Sequence, residues 1–139
     1  MKQFIRWILT AGLFLTTGAL LTGCGLKKQK AEKGEKLEYT IVEELSIPEE
    51  LKGMIEEKKE GEFQISYADG EDLYLVAGYG EQPTGGYSIV VERLEETPEA
   101  IYVGTNLLGP DKEQTVSPRP SYPYIVIKTG FRDKDIYYE

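Results

Sequence analysis

From Leu37 onward the chain is a succession of short apolar runs cut by glycine, proline and Asp-Gly. The spacing, about 8 to 12 residues per run, leaves few architectures open beyond an antiparallel sandwich or barrel. Leu37, Tyr39 and Ile41 alternate with Glu38 and Thr40, the pattern of a half-buried strand. Phe63, Ile65 and Tyr67 alternate with Gln64, Ser66 and Ala68, and Asp69-Gly70 then signals a tight hairpin. The return run 72–77 is apolar at both parities, so it belongs in the middle of a sheet. Tyr87, Ile89 and Val91 face one way, with Ser88 and Glu92 opposite. Thr97-Pro98-Glu99 turns the chain into 101–105, where Ile101 and Val103 point inward. Residues 107–121, with Pro110, Pro118 and Pro120, read as an exposed crossing loop. A strand over 122–127 follows, with Pro123 at its first residues or on an edge. The tail 131–139 has the pattern of a short edge strand through Ile136 and Tyr138, with a frayed end as the alternative.

One helix interrupts the pattern. Ser46-Ile47-Pro48-Glu49-Glu50 places proline in a first turn and glutamates at the positive end of a helix dipole. Leu51, Met54 and Ile55 then form one apolar stripe, 56–60 is charged on every face, and Gly61 stops the helix. A short helix with one stripe is a flap on a sheet, and its charges are a solvated face.

The N-terminus belongs to a different economy. Lys2 and Arg6 precede 20 uncharged residues, 7–26, that contain Leu21-Thr22-Gly23-Cys24. An aliphatic residue, two small ones and cysteine form a bacterial lipobox, in which the small residues fit a signal peptidase and the thiol accepts a diacylglyceryl group. An uncleaved membrane span is the alternative for so long an apolar run. The lipobox reading makes 1–23 a signal peptide and Cys24 the lipidation site, with a second acyl chain such as palmitate giving stable anchoring. Residues 24–36 carry five lysines and two glutamates and form a flexible tether, followed by a folded domain over 37–139. The expected location is the extracytoplasmic face of a bacterial membrane or envelope.

Composition removes whole classes of chemistry. The chain has no histidine and its only cysteine is Cys24, so Cys/His and Ser-His-Asp nucleophiles, Cys/His zinc sites and internal disulfides are all excluded. Net charge is −8, and removal of 1–23 takes away Lys2 and Arg6 and brings it to −10. That balance argues against nucleic acid, which selects clustered Lys and Arg. The closest acidic groups, Asp69-Gly70-Glu71-Asp72 and Asp133-Lys134-Asp135, lack the spacing of a calcium loop and read as turns. No enzyme, cofactor or metal is expected.

The remaining feature is the loop Gly78-Tyr79-Gly80-Glu81-Gln82-Pro83-Thr84-Gly85-Gly86-Tyr87 between two strands. It is longer than a hairpin needs, stiffened by proline and allowed left-handed backbone by paired glycines. Pro83 stands where a dinucleotide fingerprint needs glycine, a strand rather than a helix follows, and no Gly-Lys-Ser/Thr occurs, so the loop is not a phosphate cradle. A structural turn and a rigid binding loop are the two readings left. Ten tyrosines, all after the signal peptide, supply both core and interface material.

Gly80-Glu81-Gln82-Pro83-Thr84-Gly85-Gly86-Tyr87-Ser88-Ile89, with Tyr122-Pro123-Tyr124-Ile125-Val126 some way downstream, resembles the PrcB C-terminal family over about 37–128. The resemblance implies a small secreted or lipid-anchored bacterial protein, a non-catalytic partner or stabiliser of a surface protease or another exported protein. A looser similarity is to chagasin-type inhibitors of cysteine proteases, which carry a Pro-Thr loop on an immunoglobulin-like sandwich. Pro83, Thr84, Gly86 and Tyr87 match that loop, and Arg119-Pro120 stands for a second one, with Ser121 or Tyr122 in place of tryptophan. The third, glycine-rich motif is missing, since only Gly104 and Gly109 lie in the interval. Together these imply a partner-binding surface of Gln82, Pro83, Thr84, Gly85, Gly86, Tyr87, Arg119, Pro120 and Tyr122. A protease inhibitor and a structural envelope spacer are the alternatives.

Overall fold

The computed structural model describes residues 34–139; the expected signal peptide, Cys24 and all but the last three residues of the expected tether lie outside the described residues. Strand structure begins at β1 (Glu35–Lys36), two residues ahead of the expected domain start. Then come β2 (Thr40–Ile41), a 3-10 turn at Glu44–Ser46, α1 (Glu49–Lys58), β3 (Glu62–Asp69) and β4 (Asp72–Tyr79). The remaining strands are β5 (Ser88–Glu96), β6 (Ala100–Leu108), β7 (Tyr124–Gly130) and β8 (Asp135–Tyr138). They form two four-stranded sheets, ordered β1-β5-β6-β8 and β2-β7-β4-β3. Both sheets have free edges, so the fold is sandwich-like and mainly β, with one short helix, rather than a closed barrel.

Apolar parity decides how the layers stack. Leu73, Leu75, Ala77, Ile125 and Ile127 leave β4 and β7 on one face and meet Leu94, Ile101 and Val103 of the opposite sheet. Tyr74, Val76 and Val126 leave on the other face and meet Leu51 and Ile55 of α1 together with Ile47. β4 and β7 are thus covered on both sides, which is why 72–77 is apolar at both parities. The hairpin forms as its residues dictate: Asp69 pairs with Asp72 around Gly70, whose φ is 65°. The helix also follows its code. Leu51 and Ile55 are buried and Met54 packs at the edge of that cluster, while Tyr67 on β3 donates a 2.7 Å bond to Glu50 Oε1.

Three expectations are corrected, and one strand carries an irregularity beyond the pattern read from it. The first strand is not a continuous half-buried one, because Tyr39 and Ile41 are 42% and 48% exposed. The chain pairs with β5 through Glu35–Lys36, then crosses to the other sheet and pairs with β7 through Thr40–Ile41, so only Leu37 enters the core. In β5, Ile89 and Val91 pack against the core opposite Ser88 and Glu92 as read, and a bulge between Val91 and Arg93 then hands the next inward position to Leu94. β6 runs on to Leu108, taking Leu107 and Leu108 out of the crossing loop. The tail is a strand, but β8 runs parallel to β6, so that sheet is mixed rather than antiparallel. Its approach is fixed by Glu96, which holds Arg132 at 2.7 Å and Lys134 at 2.8 Å.

Candidate functional site

The 80–87 loop leaves the end of β4 and is strapped along its length to the segment before β7. Tyr79 N donates to Pro123 O at 3.0 Å. Gln82 and Ser121 exchange both backbone bonds, at 2.8 and 3.0 Å, as an isolated antiparallel bridge. Gly85 N donates to Ser117 O at 3.0 Å, and the Ser121 hydroxyl donates to Thr84 O at 2.7 Å. On the other flank Glu81 N donates to Glu60 O at 3.2 Å, just after α1. The loop also closes on itself, through Gln82 Nε2 to Tyr79 O (3.1 Å) and Thr84 Oγ1 to Gly85 O (2.9 Å). A backbone satisfied from two sides needs no side-chain scaffold to hold its shape.

Glycine is required where these segments touch most closely. Gly80 (φ 76°) abuts the Glu60–Glu62 backbone, and a Cβ there would lie 3.2 Å from Gly61 C. Gly86 (φ 89°) faces Val116 and Pro110, with a Cβ position only 2.5 Å from Val116 Cγ1. The proline-rich loop is therefore packed directly on the glycine pair.

All nine residues singled out from sequence fall at this end of the molecule, but their environments differ. Pro83, Gly86, Arg119 and Pro120 are exposed; Gln82, Thr84, Gly85, Tyr87 and Tyr122 are half-buried. Tyr87 lies beside Gly109, its ring 3.5 Å from where a Cβ would be, so it braces the loop base. Tyr122 is overlaid by Lys59 Nζ at 5.5 Å from the ring centroid, a cation–π contact that ties the segment to the end of α1. Lys59 also bonds Glu56 at 3.1 Å, and that bond leads the rise of its pKa above the ordinary lysine value. Burial, helped by Glu44 and Glu56, pushes the neighbouring Tyr124 hydroxyl up as well, so it stays protonated. Ser117 and Ser121 are the residues that sequence patterning does not assign to the brace. Their part is played by a backbone carbonyl and a hydroxyl in a segment without periodicity, and only the pairing of strand ends could have pointed to them.

The exposed elements are a proline-stiffened backbone turn, two further prolines and one guanidinium. Among the described residues no group of three or more His, Cys, Asp or Glu is placed to hold a metal. The arrangement offers shape and one cation to a partner.

Residues 73–130 match the family described as PrcB C-terminal, a stretch that runs from β4 through β7 and includes both the 80–87 loop and the 117–121 segment that braces it. The match starts at Leu73, so the helix and β3 lie outside it although the resemblance read from sequence began near Leu37. No curated protein and no solved structure gives a match. Among the described residues no helix is long and apolar enough to cross a membrane.

Proposed function

We propose that this chain is a non-catalytic protein-binding module, lipid-anchored through Cys24 on the extracytoplasmic face of a bacterial membrane, that partners or stabilises an exported protease. The observation that carries the reading is the double strap. Residues 82–85 are held by 117–121 through backbone and hydroxyl bonds, so Pro83, Arg119 and Pro120 are presented on one preformed rim. Preformed loops lose little entropy on binding, and an exposed arginine beside apolar proline rings is a common anchor. The PrcB C-terminal match and the lipobox support the same setting.

The test is complex formation with exported proteases by the full lipoprotein carrying Arg119→Ala or Pro83→Ala. Both side chains are exposed, so both variants are expected to fold normally and to lose affinity at least tenfold. Undiminished binding by both would contradict the assignment. A second reading, a plug for a protease cleft, is favoured by the same adjacency of the 82–87 and 119–122 loops, because two neighbouring loops can straddle an active site. It predicts dose-dependent inhibition of a papain-like or subtilisin-like enzyme, where the stabiliser reading predicts undiminished or prolonged activity.

A further inference from the structure

β5 is nine residues long, yet β1 accompanies only its last part: Glu35 and Lys36 pair with Glu96 and Glu95, and Leu37 N donates to Leu94 O at 3.0 Å. The chain then crosses to the other sheet, where Thr40 pairs with Lys128, so β5 loses its neighbour in mid-strand. Backbone groups alternate in direction along a strand. On β6, Val103 turns its carbonyl away from β5, and Thr105 and Leu107 share that phase. Their partners on β5, Val91 and Ile89, therefore turn their N–H and C=O groups away from β6 as well. Among the described residues no backbone group meets them there.

The side chains of this edge ask for an apolar occupant. Ile89 and Val91 pack on the core but are only half-buried, and a cavity of about 150 Å³ beside Val91 is lined by Leu37, Tyr39 and Leu94. On the outer face Ser88, Val90 and Glu92 are exposed. An extended segment added here meets two successive inward slots, so it needs apolar residues at positions i and i+2. Residues 25–33 do not supply them: their apolar side chains are Leu26 and Ala31, which would fall on opposite faces of a strand. β5 itself does. Turned about a two-fold axis at Val90, a second β5 runs antiparallel to the first and sets Ile89 opposite the partner's Val91. Outward backbone groups then meet outward backbone groups, and the apolar side chains share the inner face. Ser88 stands opposite the partner's Glu92, so no like charges face each other.

We infer that β5 is a self-association edge: two copies of this chain pair antiparallel over 88–92 and join their β1-β5-β6-β8 sheets. The overlap is about 17 Å of strand, small beside a stable dimer interface, so the association is weak and depends on concentration. Confinement of copies to one membrane surface would raise their effective concentration. The edge begins at the base of the 80–87 loop, but the proposal does not depend on the reading given to that loop.

The test uses the isotope-labelled full chain in detergent micelles kept in excess, so that anchors alone do not gather copies. Raising the chain from about 10 μM to about 1 mM is expected to slow hydrogen exchange at the Ile89 and Val91 amides at least threefold. Val90→Cys is expected to give a disulfide-linked dimer on mild oxidation, since the two Cβ atoms face each other about 5 Å apart. Glu99→Cys, exposed on the β5–β6 turn, and the wild type with Cys24 alone should not. Val90 is 38% exposed, so its variants leave the core intact. Val90→Lys sets two lysines across the axis and should abolish the protection, while an equal mixture of Val90→Lys and Val90→Glu chains should restore it. Exchange at both amides that ignores concentration overturns the proposal: fast throughout means an edge without an occupant, slow throughout a segment of the same chain. Concentration-dependent protection confined to the β3 edge at Gln64 and Ser66 overturns it too. So does a disulfide yield no greater at position 90 than at 99, or a mixture no better protected than Val90→Lys alone.

Discussion

A methyl group at Gly86 would meet Val116 Cγ1 at 2.5 Å and Pro110 Cβ at 3.0 Å, on a backbone whose φ is 89°. At Gly85 it would find Ser117 Cβ at 3.5 Å, an ordinary contact, with no left-handed backbone. Gly86→Ala is therefore expected to lower stability by about 1–3 kcal/mol and Gly85→Ala by less than about 1, as read from urea midpoints. Similar losses at both positions would contradict the packing described. Glu96 gives the second residue-scale prediction. Its hydrogen bond from Lys134, and then that from Arg132, hold its pKa below the ordinary glutamate value. A depressed folded pKa stabilises above the unfolded value, near 4.3, and that contribution is lost as pH falls through the folded pKa. Glu96→Gln should thus cost about 0.5–1.5 kcal/mol at pH 7, with the difference from wild type fading below about pH 4. An equal difference at pH 7 and pH 3 would mean that the charge is not what matters.

At the scale of elements, α1 is held to the sheet by Leu51 and Ile55, which are 0% and 1% exposed. Leu51→Ala is expected to cost about 2–5 kcal/mol, whereas Leu45→Ala, at a side chain 94% exposed, should stay within about 0.5. Thermal or urea unfolding of the two variants checks this, and comparable losses would show that the helix face is misassigned. The elements legible in sequence are those whose code is local. Phe63, Ile65 and Tyr67 with Asp69-Gly70 specify a hairpin, and Pro48, Leu51 and Ile55 specify a short amphipathic helix, without reference to anything distant. What was not legible depends on partners far along the chain. Leu37 and Ile41 alternate like neighbours on one strand but serve two sheets. The extra residue in β5 shifts the phase so that Leu94 turns inward, and no local signal marks it. Ile136 and Tyr138 suit a strand in either direction, and the parallel pairing follows from the Glu96 anchor on Arg132 and Lys134. The same division holds at the site. Pro83, Gly86 and Arg119 are recognisable as residue types with a purpose, while the bonds from Ser121 and Ser117 that fix them are set by tertiary pairing.

For the whole molecule, sheet order concentrates interaction features at one end. The loop after β4, the entry to β5 and the segment before β7 meet there, with the end of β6 at Leu108 opposite Ser88 at the loop base. The β5–β6 turn, with Thr97 N bonded to Ala100 O, lies at the opposite ends of those strands and supplies a control surface. The central claim is that the rim of Pro83, Arg119 and Pro120 contacts an exported protease. Its most direct test is site-specific photocrosslinking in intact cells, with a benzophenone amino acid replacing Arg119 in the full chain and, separately, replacing exposed Glu99 on the control turn. The account predicts one adduct, identified by mass spectrometry as an exported protease, from position 119 and absent from position 99. Adducts that are the same at both positions, or made only with envelope structural proteins, would contradict it and leave the loop a turn in a spacer domain.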